Sequence, residues 1–292
     1  MSKYIDIHSH VNFKAFDEDR DAVIRRALNN DTWVINVGTQ FNTSKKAVEM
    51  TNEYKEGAYA TIGLHPIHTS VSYHDEAELG KEGKEFVSKG EIFDKEKYKK
   101  LARLGRVVAI GECGLDYYRC TEDSIKKQKT AFISQIELAN ELNLPLMLHI
   151  RNHAIDKTHN AYFDVYELIK KHSKSLEVGL PKITGVSHFF AGSVEDMKRF
   201  IEIGVYISFA GPITYKPKPE ICDYIAVIKE TPLDMILADT DSPYVAPVPY
   251  RGKRNEPLYV QEIVKKIAEI KSLEEEEIAK AIFDNAKRVF KI

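Results

Sequence analysis

The chain has 292 residues, 43% hydrophobic and 29% charged, which fits a globular protein with a sizeable core and excludes a disordered or fibrous one. Its formal net charge of −2 excludes a basic coat that wraps nucleic acid non-specifically and leaves room only for a local basic patch. Three cysteines, Cys113, Cys120 and Cys222, lack CxxC spacing, which argues against a zinc ribbon or disulfide framework and for a reducing compartment.

In chain order, the first seven residues run into a strand-like segment without a charged region followed by an apolar one, so no secretory leader is expected. No run of 18 apolar residues is present, so no membrane span is expected either. The expected location is the cytoplasm, or the nucleus in a eukaryote. Strand-like runs rich in Val and Ile follow at 4–8, 33–38, 58–64, 107–112, 145–150, 183–188, 205–210 and 235–238. Short apolar runs of this kind suit parallel strands covered on both faces. Helical stretches lie between them. The clearest is 123–142, with Phe132, Ile136 and Ala139 at helical spacing. At 193–203, Ser193 and Asp196 form a capping pattern ahead of Met197, Phe200 and Ile201.

Eight strand–helix units in this length predict an α/β fold, a single (β/α)8 TIM-like barrel spanning residues 1–292 as one domain. A doubly wound open sheet competes, but would gather its ligands at one switch point. Two segments break the rhythm. Residues 68–94, with Glu76, Glu78, Lys81, Glu82, Lys84 and Glu85 of mixed sign, read as a long insertion after strand three, over the mouth. Residues 153–162 prolong the connection after strand five. The stretch 272–290 reads as one extra C-terminal helix, its acidic run Glu274 to Glu277 a solvated first turn.

The chemistry sits at the strand exits. His8 and His10 alternate along a strand, so both face one side, about 7 Å apart at Cα. Glu112 ends the run Val107 to Gly111, His149 follows Leu146 to Leu148, and His188 follows Val186 and Ser187. Asp241 and Asp239 follow Met235 to Leu237. A charged group at a buried strand exit is costly unless it is paired or bound to a metal. Each histidine alone reads more readily as a satisfied core residue bonded to backbone than as a ligand; their shared position at one barrel face is the signal. Six ligands (His8, His10, Glu112, His149, His188 and Asp241) exceed one tetrahedral site and suffice for two divalent ions sharing a bridging carboxylate. The mixed imidazole and carboxylate set suits zinc, manganese, cobalt or nickel, and tolerates magnesium.

The motifs Asp6-Ile7-His8-Ser9-His10, Gly63-Leu64-His65-Pro66, Gly111-Glu112-Cys113-Gly114-Leu115-Asp116-Tyr117-Tyr118, Leu144-Pro145 to His149, His188 to Ser193 and Thr240-Asp241-Ser242-Pro243-Tyr244 resemble the TatD-like metal-dependent deoxyribonucleases. Residues 246–257 are similar to that family's segment after its last metal aspartate. The resemblance runs the length of the chain in order. It implies a barrel of the amidohydrolase-like superfamily and divalent-metal hydrolysis of DNA phosphodiesters, commonly 3′ to 5′ exonucleolytic. It also implies that His8, His10 and Asp241 hold one ion, that His149 and His188 hold the other, and that Glu112 bridges the two. By the same resemblance His65 lies near the scissile phosphate, and Arg151 is a further phosphate contact. Phe189, Asn152 and Asp239 depart from the usual pattern, which bears on substrate shape rather than on metal binding.

The expected reaction is in-line attack of water on phosphorus, with Asp241 orienting the water and accepting its proton. Arg251, Lys253 and Arg254 read either as phosphate anchors or as a solvated loop paired with Glu256. Tyr117 and Tyr118 read either as stacking platforms for an unpaired base or as packing, and Cys113 as a small buried hydrophobe. The expected partner is DNA, single-stranded or at its 3′ ends, without a membrane or an obligate protein partner. Hydrolysis of a different bond, such as an amide, a lactone or a D-aminoacyl-tRNA ester, uses the same metal chemistry and is the alternative, as is a binding protein that has kept the barrel.

Overall fold

The computed structural model describes residues 4–73, 87–88, 90–118, 120–153, 159–173, 185–216 and 222–292. Eight strands pair side by side, all parallel, in chain order. They are β1 (Tyr4–Ser9), β2 (Thr32–Val37), β3 (Ala58–Ile62), β6 (Val107–Asp116), β7 (Leu146–Arg151), β8 (Gly185–Ser187), β9 (Val205–Phe209) and β10 (Ile236–Ala238). Between β3 and β6 a two-residue strand β4 (Ser72–Tyr73) pairs antiparallel with β5 (Val87–Ser88). The strands are buried almost throughout, as parallel strands between a barrel interior and a helical coat must be.

The ring closes through the site itself. Past β10, Ser242 bridges to Ser9. There the Asp241 N–H donates to the His8 carbonyl at 2.9 Å, and the His10 N–H donates to the Ser242 carbonyl at 2.7 Å. The result is a nearly closed (β/α)8 barrel whose last seam is sewn by the residues that carry its acidic and imidazole groups.

The helices are α1 (Arg20–Asn29), α2 (Phe41–Thr51), α3 (Lys95–Leu101), α4 (Glu122–Leu142), α5 (Ala161–His172), α6 (Val194–Glu202), α7 (Tyr224–Glu230), α8 (Val260–Lys271) and α9 (Glu275–Phe290). In α4 the residues Phe132, Ile136 and Ala139 are fully buried; burying a side chain such as Phe132 or Ile136 contributes roughly 1.5–3 kcal/mol. The capping box expected at Ser193 and Asp196 opens α6. Helix α9 packs against β1 and β10 and covers the seam.

Two boundaries differ most from the sequence reading. Strand β6 runs to Asp116 rather than Glu112, because after an irregularity between Ile110 and Cys113 it resumes pairing with β7 as far as Arg151. Ser272 does not begin the last helix. It ends α8 in a left-handed conformation, φ 55°, and α9 starts three residues later. Most of the 68–94 insertion, residues 74–86 and 89, and part of the 153–162 connection, residues 154–158, lie outside the described residues, as do the first two residues of the strand expected at 183–188.

Candidate metal centre

Glu112 is the hub. Its Oε2 lies 3.5 Å from His8 Nε2 and 3.6 Å from His10 Nε2. Its Oε1 lies 2.9 Å from both His149 Nδ1 and His188 Nε2, and 3.4 Å from His65 Nε2. The glycines beside it explain how a carboxylate reaches this position. A Cβ on Gly111 (φ 153°) would stand 2.3 Å from the Met147 carbonyl, and one on Gly114 (φ 134°) 2.2 Å from the His149 carbonyl. Only glycine lets β6 approach β7 so closely. The register shift between them re-aims Glu112 inward, as bulges beside functional sites do. Burial pushes the Glu112 carboxyl up, but His65, His8 and His188 hold it well below the usual carboxylate range.

On the Oε2 side stand His8, His10 and Asp241. The two Nε2 atoms are 3.2 Å apart, and Asp241 Oδ1 is 3.7 Å from His8 and 3.4 Å from His10. His10 Nδ1 donates to the Val37 carbonyl at 3.0 Å, which leaves Nε2 as the nitrogen that faces inward and could ligate a cation. Burial, reinforced by His188, holds His8 down to about 3. Burial also opposes charge on His10, yet Asp241 and Glu112 carry it up to about 9.

On the Oε1 side, His149 bridges two carboxylates, its Nδ1 on Glu112 and its Nε2 on Asp116 Oδ2 at 2.9 Å. Burial disfavours its charge, but these two partners raise it to about 10. The His188 ring stacks on His8, centroids 3.6 Å apart and 11° from parallel. His65 packs edge-on to His149 at 4.2 Å. Two buried glutamines of α4, two turns apart, hold this half in place. Gln135 accepts from Leu64 N–H and donates to Leu64 C=O at 2.8 and 3.0 Å, and Gln128 does the same for Asp116 at 2.8 and 2.9 Å.

The donor set fits a divalent metal. Three groups have ligand atoms mutually within 4.8 Å: His8, Glu112 and His188; His8, His10 and Asp241; His65, Glu112 and His149. His8 Nδ1 and His188 Nδ1 are buried without hydrogen-bond partners among the described residues. Stacked imidazoles crowded on one carboxylate are hard to account for without a cation among them, and nitrogen with carboxylate oxygen favours a transition ion.

Residues 5–291 match the family described as TatD related DNase. The chain belongs to that family. It is 37% identical to the uncharacterized metal-dependent hydrolase YabD of Bacillus subtilis over 98% of each chain. It is 30% identical to the uncharacterized metal-dependent hydrolase YcfH of Escherichia coli over 99% of this chain and 96% of the relative. The crystal structure of YJJV, a TatD homolog from Escherichia coli, superposes with a TM-score of 0.78 at 26% identity, covering 100% and 99% of the two chains. This TatD family member is, like those relatives, a metal-dependent hydrolase.

The other residues singled out in the TatD motifs are placed as follows. Arg151 is exposed and lies over the Tyr118 ring, 3.8 Å from its centroid. Arg251 lies over Tyr215 at 4.5 Å, and neither it nor Lys253 forms an ion pair among the described residues. Arg254 is engaged otherwise, in a double contact with Asp19 at 2.9 and 2.6 Å and over the Phe16 ring. Tyr117 is core, its hydroxyl donating to Asp164 at 2.7 Å. Cys113 is fully buried in the main core, and burial pushes its thiol up. Two departures from the family pattern have local roles. Asn152 accepts from the Ala161 N–H at the start of α5, and Asp239 accepts from the Phe189 N–H and the Ser208 hydroxyl.

Sequence reasoning missed Asp116, Asp6, Gln128 and Gln135. A signal existed for the first. Glu112 and Asp116 are four apart in what is one continuous strand, so both face the same way.

Proposed function

We propose that the chain hydrolyses phosphodiester bonds of DNA, removing nucleotides from the 3′ end, at a centre of two divalent ions. One observation carries the reading: Glu112 presents one oxygen to His8 and His10, beside Asp241, and the other to His149 and His188. In that arrangement His8, His10 and Asp241 would hold one ion and His149 and His188 the second, with Glu112 shared between them. The bound ions supply the charge that acidifies water and offsets charge developing on phosphate oxygens.

The protein's own groups do the rest. Asp241 is fixed by its main-chain bond to His8 and by His10, and its side chain remains 18% exposed toward the mouth. It orients the attacking water and takes its proton. His65, on the other flank, donates to a non-bridging phosphate oxygen. Arg151, Arg251 and Lys253 bind phosphates further along the strand. Arg254 anchors the loop of Arg251 and Lys253 through Asp19 rather than meeting the substrate.

The test is metal content by elemental analysis, followed by nucleotide release from a single-stranded oligonucleotide labelled at either end. Asp241→Asn should stay folded and lose activity by about 10²–10⁴. Two bound ions without nucleotide release would sink the nuclease reading and direct the search to amide, lactone or aminoacyl esters.

A further inference from the structure

Beyond the ligand cluster, one buried carboxylate is bonded in two directions. Asp116 Oδ2 accepts from His149 Nε2 at 2.9 Å, and Asp116 Oδ1 accepts from the Tyr118 main-chain N–H at 2.9 Å. The Tyr118 ring in turn carries the Arg151 guanidinium. Across β6 and β7 these groups fall on alternate rungs, Gly114 opposite His149 and Asp116 opposite Arg151, with Leu115 opposite Ile150 between them. The Asp116 main chain is pinned by Gln128 on both its N–H and its carbonyl, so the carboxylate projects from a fixed backbone.

We propose that Asp116 is a positioning residue that sets two things at once: the His149 ring toward an ion beside Glu112, and the Tyr118–Arg151 platform that receives an anion. The proposal rests on the two-ion reading above. The chemistry at the His149 end is a matter of tautomer. A carboxylate can only accept, so Asp116 holds a proton on Nε2, and Nδ1, which faces Glu112, is the nitrogen whose lone pair a cation would take in place of a proton. Groups that orient a metal-binding histidine in this way typically change metal affinity 10–100-fold when removed. At the other end, the second oxygen ties down the peptide of Tyr118 and thereby the ring beneath Arg151. Its spacing from Glu112 puts it on the same face of β6, and its two bonds single it out.

Asp116→Asn separates the possibilities. The amide oxygen can still accept from Tyr118, but its NH2 then faces His149 Nε2 and calls for a lone pair there, driving the ring proton to Nδ1. Asp116→Ala removes both bonds and repeats the measurement without the amide's own preferences. Metal affinity is read by chelator competition with Mn2+ or Zn2+, and anion affinity by calorimetry with inorganic phosphate at saturating metal. We expect wild type to hold two ions, and either Asp116 variant to lose about 10–100-fold at one of them and little at the other. Arg151→Ala should weaken phosphate binding and leave both metal affinities unchanged. In the Asp116→Ala background, Arg151→Ala should weaken phosphate binding less than it does in wild type, because the platform is already loose. Wild-type metal affinity at both sites in the Asp116 variants, or strictly additive effects on phosphate, overturns the proposal. A wild-type protein that binds no ion overturns the underlying metal reading instead.

Discussion

Asp6 on the first strand holds Thr240, 234 residues later, by both of its carboxylate oxygens. The Thr240 N–H donates to Oδ1 at 2.8 Å and its hydroxyl to Oδ2 at 2.6 Å. Asp6 is completely buried, so these bonds, with one from the His8 N–H, are what offset its removal from water. The clamp lies one residue before Asp241 and two before His8 in their respective strands. It therefore joins the two chain segments that bring His8, His10 and Asp241 together.

Thr240→Val keeps the shape and deletes the hydroxyl, leaving Asp6 Oδ2 short of a donor in a site without water access. The expected cost is about 1–3 kcal/mol, seen as a melting temperature lower by several degrees. A weaker hold on the ion beside His8 and His10 should accompany it. A variant that melts with wild type would show that the main-chain bond alone maintains the seam.

The glutamines of α4 make a second structural claim. Gln135→Leu leaves both the N–H and the C=O of Leu64 buried without the partners they have now, next to His65. Each orphaned group costs about 1–3 kcal/mol, so denaturant midpoints should fall clearly in Gln135→Leu and in Gln128→Leu. A change at an exposed position of the same helix, Lys126→Leu, should be nearly silent. Equal midpoints across all of these would mean that the strand ends find other partners.

Much of this architecture was legible because its causes are local. The Val- and Ile-rich runs at 33–38 and 107–112 are strands because both of their faces are covered, and an apolar run ending in Glu112 or His149 announces a charge placed at a barrel mouth. What escaped depends on distance or on irregular backbone. Asp116 looked like part of a loop because β6 was read as ending at Glu112, and the irregular pairing after Ile110 that lets the strand continue leaves no mark in hydrophobic alternation. Gln128 and Gln135 look like the solvent face of α4, since glutamine ordinarily sits there. Only the close approach of two strand ends to the helix turns them inward. Arg254 carries the same charge as Arg251, and nothing in the sequence tells that Asp19 waits for one and not the other.

Glu112→Gln tests the hub. An amide offers one acceptor instead of two and no charge, so neither triad containing residue 112 keeps its donor set. On the proposed two-ion reading, bound metal should fall from two ions per chain to fewer than one, with the far-ultraviolet spectrum unchanged. Chelation should then lower the melting temperature of wild type while leaving the variant where it is. An ion at about 100 times its Kd stabilises the folded state by roughly 2.7 kcal/mol. A variant that still binds two ions would remove Glu112 from the bridging position.

Arg251 and Arg254 are three residues apart, and the structure assigns them different partners. Arg254→Ala breaks the contact with Asp19, a half-exposed pair worth at most about 1 kcal/mol, and should lower stability slightly without changing affinity for single-stranded DNA. The Arg254 guanidinium holds the Asp19 carboxyl below its ordinary value. That contribution is therefore complete above the unfolded pKa and is lost as pH falls through the folded one. The stability gap between wild type and Arg254→Ala should accordingly shrink toward acid pH. Arg251→Ala should do the reverse, leaving melting unchanged while weakening DNA binding. If Arg251 meets one phosphate, the slope of log affinity against log salt should become shallower by about 0.7. A slope unchanged in Arg251→Ala, and reduced in Arg254→Ala, would exchange their roles and imply that the loop reorganises to release Arg254 when the strand binds.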